Sequence, residues 1–138
     1  DRLMRPAFPL LTACMLLSLG CSTGRPGIKQ SATTEDGRYR VTWWKTPPRP
    51  IEANDYFELY VQVDDLKTNE EPHDFRFDAT MPAHRHGMNT VANPYRLKRD
   101  AWSLHDLNLH MPGEWVMTFD VTDQNGVLHR ASETVILE

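Results

Sequence analysis

Beyond residue 38 the chain alternates apolar and polar positions, the pattern of strands that bury one face and leave the other in water. Tyr39, Val41 and Trp43 alternate with Arg40 and Thr42. The cluster Pro47-Pro48-Arg49-Pro50 ends that run, since proline has no N–H to give to a ladder. Phe57, Leu59, Val61 and Val63 alternate with Glu58, Tyr60 and Gln62, and Phe75, Phe77 and Ala79 with Asp74, Arg76 and Asp78. Trp115, Met117, Phe119 and Val121 form a further such series, followed by the turn signal Asn125-Gly126 and a last strand through Val135 and Leu137. By the same parity Met81 continues Phe77 and Ala79 into the core, and Met117 is core as well.

Two weaker strands fit between these, roughly 95 to 99 and 102 to 109. A bulge near His105–Asp106 explains why Leu104 and Leu107 break parity. No amphipathic helix and no internal repeat interrupts the series. The reading is all-β: an immunoglobulin-like antiparallel β-sandwich of about seven strands, the usual solution at ~100 residues.

The first residues follow another logic. Residues 8 to 20 form an apolar stretch preceded by Arg2 and Arg5, which describes a secretory signal peptide too short to span a bilayer. Leu17-Ser18-Leu19-Gly20-Cys21 resembles the lipobox cut by lipoprotein signal peptidase, which makes Cys21 the expected lipidation site. Leu11-Thr12-Ala13-Cys14 matches the lipobox core too, but leaves too little apolar sequence before the cut. Ser22 follows the cysteine where an aspartate is associated with inner-membrane retention. The expected location is therefore the cell envelope, lipid-anchored at the periplasmic face of the outer membrane in a Gram-negative cell. Residues 22–37 are small, polar and free of aromatics, and read as a flexible tether. The organisation expected is thus a signal peptide over 1–21, a tether over 22–37 and a β-sandwich domain over 38–138.

Composition removes several function classes. With 40% hydrophobic residues, 25% charged and a net charge of −4, the chain lacks the basic excess that a nucleic-acid partner requires. Both cysteines, Cys14 and Cys21, lie in the signal segment, so the domain has neither a disulfide nor a thiolate. There is no Gly-x-Ser-x-Gly elbow, no His-Glu-x-x-His zinc motif and no phosphate-binding glycine loop. Asp74 and Asp78, with Arg76 between them, read as surface charges. The expectation is a non-enzyme, tethered as a monomer.

One stretch breaks the strand pattern: Met81-Pro82-Ala83-His84-Arg85-His86-Gly87-Met88-Asn89. A second echoes it: His110-Met111-Pro112-Gly113-Glu114-Trp115. Together they hold three of the six histidines and three of the six methionines. Neutral imidazole and thioether donors suit copper, Cu(I) above all, and poorly suit Mg²⁺ or Ca²⁺. His84, His86 and Met88 would share one face of an extended segment, with Gly87 letting the backbone approach a ligand. If both weaker strands exist, the two stretches emerge at the same end of the sandwich; if only one does, they cannot share a metal. The competing structural reading makes Met111-Pro112-Gly113 a tight turn and the histidines hydrogen-bonded or exposed, as His73, His105 and His129 are taken to be.

The words MPAHRHGMN and LHMPGEW resemble the YtkA-like domain family, which is related in style to FixH-type domains. Members carry a Met-Pro-x-His-x-His-Gly-Met segment, then Met-Pro-Gly-x-Trp leading into a Phe-Asp-Val strand, here Trp115 to Val121. Where relatives often have a Gly-Arg-Tyr-like turn before the second motif, this chain reads Arg99-Asp100-Ala101-Trp102. The resemblance implies an immunoglobulin-like sandwich, an exported and often lipid-anchored location, and a link to copper handling. It also implies His84, His86, Met88, His110 and Met111 as metal ligands, with Met81 as a further candidate. The function expected is copper buffering or delivery outside the cytoplasm, with a copper-accepting or copper-donating envelope protein as partner. The alternative is an envelope interaction module whose His and Met residues are structural. Copper binding would weaken as pH falls through the histidine range, because only neutral imidazole ligates.

Overall fold

The computed structural model describes residues 29–138. The signal segment, Cys21 and the first part of the tether lie outside the described residues. Nine strands follow one another: β1 (Gln30–Thr33), β2 (Tyr39–Thr46), β3 (Tyr56–Asp65), β4 (Asp74–Met81), β5 (His86–Gly87), β6 (Tyr95–Lys98), β7 (Ala101–Asn108), β8 (Gly113–Thr122) and β9 (Leu128–Leu137). They form two antiparallel sheets, one ordered β1-β2-β3-β7-β6 and the other β5-β4-β8-β9. The architecture is the immunoglobulin-like sandwich that the alternation requires, with nine strands rather than about seven.

Each alternating series turns its apolar members inward. Val41 faces Val63 and Trp43 faces Val61 in one sheet; Phe77 faces Phe119 and Ala79 faces Met117 in the other. The Trp43 ring stacks on Phe119 across the interior at 4.4 Å, and Phe75 meets Trp102 at 5.4 Å. Full burial of a side chain of this size is worth roughly 1.5–3 kcal/mol, so these contacts hold the sheets face to face. Met81 and Met117 are both in this core.

The bulge expected near His105 is present. The β3–β7 register shifts between Phe57 and Leu59, and Asp106 takes a positive φ of 55°. Leu104 and Leu107 are thereby both buried while His105 and Asp106 face solvent. The Asn125-Gly126 turn joins β8 to β9, with Gly126 at φ 80°.

Two strands depart from the sequence reading. Gln30–Thr33, inside the stretch read as tether, pairs with β2 from Gln30↔Trp43 to Thr33↔Arg40. Its side chains are largely exposed, so an edge strand of this kind leaves no apolar alternation to read. The domain accordingly begins before residue 38. The second, β5, pairs Thr80 with Gly87 and Met81 with His86, which extends the second sheet beyond β4.

Candidate metal centre

Both weak strands exist, as β6 and β7, so the two His/Met stretches reach the same end of the sandwich. The register makes this explicit: β4 runs up to Met81 while its antiparallel neighbour β8 starts at Gly113, with Thr80 opposite Val116. The segment 109–112 is held from below, because Leu109 is buried and its carbonyl accepts the Asn54 N–H at 2.8 Å.

The first stretch is a hairpin, not an extended run. The Met81 carbonyl accepts the N–H groups of His84 at 3.1 Å and Arg85 at 2.9 Å, and Arg85 sits at φ 56°. The chain thus reverses over 82–85 and returns as β5. His84 and His86 come together through this reversal rather than through alternation along one face. Gly87 has a different task from the one its sequence position implied. A Cβ there would lie 3.3 Å from the Ala79 carbonyl oxygen, so glycine lets β5 close on β4.

Three histidines gather here. The His84 and His86 rings are 5.7 Å apart at 33°, and His86 stacks on His110 at 5.2 Å and 28°. Trp115 stands edge-on to both His86, at 6.1 Å, and His110, at 5.5 Å. Its indole N–H donates to the Met111 carbonyl at 2.9 Å, fastening the second stretch to the start of β8. Trp115 was legible only as a strand residue and as part of the Met-Pro-Gly-x-Trp word. Its place as the floor of the histidine stack depends on contacts that no local pattern encodes.

The nitrogens are differently placed. His86 Nδ1 lies 3.1 Å from the Gly87 carbonyl, which can only accept, so in the neutral ring this bond favours the proton on Nδ1 and leaves the Nε2 lone pair for a ligand. His110 Nδ1 is buried and has no hydrogen-bond partner. An imidazole nitrogen in that position costs free energy unless something binds it. His84 is exposed and free to turn. Lone pairs lie in the ring planes, and near-parallel rings do not aim at one point. Accordingly, among the described residues no group of three or more His, Cys, Asp or Glu side chains is already set to hold a metal ion. Convergence of these three requires rotation of the rings, which the exposed His84 permits.

The methionines divide. Met111 is half-buried beside His110. Met88 is half-buried against the core and lines an open pocket on the outer side of the second sheet with Arg76, Asp78, Val91 and Ala92. Met81 is 1% exposed within the core; its methyl group lies against Gly113, 2.8 Å from where a Cβ would stand.

The remaining histidines lie elsewhere. His73 is exposed. His105 pairs with Glu58 at 2.9 Å on the outer face of the first sheet. His129 is buried and hydrogen-bonded to Asp36 and Asp123. No helix among the described residues is long and apolar enough to cross a membrane.

No family model matches the chain, and no curated protein matches it. Among solved structures it is similar to the crystal structure of as-isolated FetP from uropathogenic E. coli strain F11, produced recombinantly in the E. coli periplasm. That likeness covers 80% of this chain and 99% of the other, at 9% identity and a TM-score of 0.42. At that score it carries no argument about this chain. The YtkA-like resemblance therefore rests on its two motifs, while the β-sandwich stands on the structure itself.

Proposed function

We propose that this chain is an exported, lipid-anchored protein that takes copper, Cu(I) foremost, as cargo at the His84–His86–His110 end of the sandwich and buffers it or passes it to an envelope partner. One observation carries the reading. Two segments far apart in sequence bring three imidazoles together, and one of them buries an Nδ1 that nothing else satisfies. The donor chemistry fits, since neutral nitrogen and thioether ligands suit a soft monovalent ion. His86 Nε2 and His110 Nδ1 would hold the metal, with His84 swinging in from the exposed turn and Met111 offering sulfur. A set with one mobile ligand suits transfer, because a partner's soft donor can replace His84 before the buried ligands let go. Export and anchoring rest on the apolar stretch, the flanking arginines and Cys21; membership of the YtkA-like family rests on the two motifs.

The binding role is read from the donor set, neutral imidazole and thioether side chains with no cysteine among residues 22–138. A second reading, an envelope interaction module, draws support from the stacking of His86 on His110 with Trp115 edge-on to both, contacts that the rings make with one another. Cu(I) titration against a chromophoric chelator separates the two. Tight one-to-one binding that is lost in a His84→Ala/His86→Ala variant supports the copper reading. Equally weak binding by both chains refutes it.

A further inference from the structure

At another place in the fold, His129 lies at the start of β9 with its side chain 7% exposed, between two carboxylates. Its Nε2 is 3.0 Å from Asp123 Oδ2, and its Nδ1 is hydrogen-bonded to Asp36 Oδ2. The Tyr39 ring meets the imidazole edge-on at 5.1 Å. Asp123 belongs to the β8–β9 turn, where its other oxygen accepts the N–H groups of Asn125 and Val127 at 2.9 and 3.0 Å. Asp36 belongs to the β1–β2 turn, where its Oδ1 accepts from the Thr34 hydroxyl at 2.8 Å and the Arg38 N–H at 3.1 Å. The ring therefore ties the two sheets together at positions 93 residues apart in sequence. One backbone bond, Glu35 N–H to the Arg130 carbonyl at 2.9 Å, runs alongside.

We propose that Asp36, His129 and Asp123 form a proton-controlled latch that fastens the β1–β2 turn, and with it the strand leading in from residue 29, to the β8–β9 hairpin. The chemistry follows from the donor count. Two ionised carboxylates only accept, so both bonds exist together only while the ring is an imidazolium with two N–H groups. A neutral ring keeps one proton and turns a lone pair on the other carboxylate. Asp123 is 7% exposed whereas Asp36 is 50% exposed, so the proton stays toward Asp123 and Asp36 is released to water. The strand it held is short and at a sheet edge, and what then remains is the β2 pairing, the Glu35 and Thr34 bonds to Arg130 and Tyr39 and the packing of Ala32 against the core.

Other charges nearby do not replace the imidazolium. Just before β2, the Arg38 guanidinium is engaged by Asp65 at 2.9 Å and covers the Tyr39 ring. From β9, Arg130 is taken by Asp120 at 2.7 Å. Glu35 and Asp36, from the β1–β2 turn, and Asp123 add only negative charge. Burial of the ring works against its protonation, but the bonds to Asp123 and Asp36 outweigh burial and keep it charged to higher pH than an ordinary histidine. Burial likewise opposes ionisation of Asp36, but its bonds to Thr34, Arg38 and His129 prevail and lower it to about 2. A histidine raised in the folded state contributes fully below its ordinary value and is lost as pH rises through the raised one. The latch is closed in mild acid and opens toward alkaline pH.

Hydrogen exchange of residues 30–39 in the full chain, corrected for the intrinsic pH dependence, tests this. From about pH 6, just below the ordinary histidine value, into the alkaline range, wild-type protection of β1 is expected to fall about tenfold, the factor set by one lost charge-assisted hydrogen bond. Asp36→Asn leaves the buried members in place, and His129→Gln removes the titrating ring. In both, protection of β1 is expected to lose the pH step. A flat wild-type profile, or a step that persists in Asp36→Asn, overturns the proposal.

Discussion

Replacing Gly113 with alanine tests how the candidate site is seated on the core. Gly113 opens β8 directly after His110-Met111-Pro112, at φ 126°, where an L-residue is strained. Holding a non-glycine residue in such a region costs ~1–3 kcal/mol. The added Cβ would also stand 2.8 Å from the Met81 methyl carbon. That methyl ends a flexible side chain and is able to move, but Met81 is 1% exposed and its neighbours are close-packed. Forcing such a group aside costs a further ~1–3 kcal/mol. Together about 2–6 kcal/mol is expected, which for a small domain lowers Tm by roughly 10 °C or more. Gly126→Ala provides the control, because Gly126 sits at φ 80° with nothing within 4 Å of an added Cβ. Only the left-handed backbone penalty applies there, ~1–2 kcal/mol. Urea and thermal unfolding of both variants followed by circular dichroism gives the comparison. Equal destabilisation of the two would refute the argument that Met81 packs under the turn carrying His110.

Two further outcomes follow from the same contacts. His110→Phe removes a buried nitrogen that has no partner and keeps an aromatic ring against Trp115; Tm is expected to hold or rise by up to the equivalent of ~1–3 kcal/mol while Cu(I) affinity drops, and a strongly lowered Tm would count against the orphaned nitrogen. Asp65→Asn weakens a buried network in which the carboxylate, 1% exposed, meets Arg38, Thr68 and the Lys67 N–H; a loss of about 2–4 kcal/mol is expected at neutral pH. Although burial raises the Asp65 carboxyl, these bonds outweigh it and hold it far below the usual carboxylate range. Its contribution is present above the ordinary value and lost as pH falls toward the folded one, so the gap between wild type and variant should begin to narrow below about pH 4 and keep narrowing with further acid in denaturation measured across pH.

The main strands were legible because a half-buried strand must alternate, and Tyr39–Trp43, Phe57–Val63, Phe75–Ala79 and Trp115–Val121 each do so. The bulge at His105–Asp106 was legible for the same reason, as a break in parity with a leucine on either side. β1 was not, because an exposed edge strand of Gln, Ser, Ala and Thr carries no apolar rhythm from which its pairing could be read. At the site, the two stretches singled out in the sequence do meet in space, but not with the geometry their spacing implied. His84, His86 and Met88 have alternating spacing, yet Arg85 turns the chain, so His84 lies in the turn and Met88 leads into the next loop against the core. The Asp36–His129–Asp123 arrangement was invisible, since each member is an ordinary loop or strand residue until the fold brings them together.

The account's central claim is that two separate stretches serve one metal, and Cu(I) affinity of the single variants His86→Ala and His110→Ala tests it most directly. Wild type is expected to bind one equivalent, and each variant, from a different stretch, to lose affinity by tenfold or more, about 1.4 kcal/mol. Loss in one variant with wild-type affinity in the other would contradict a shared centre, and unchanged binding in both would contradict a site at this end of the sandwich.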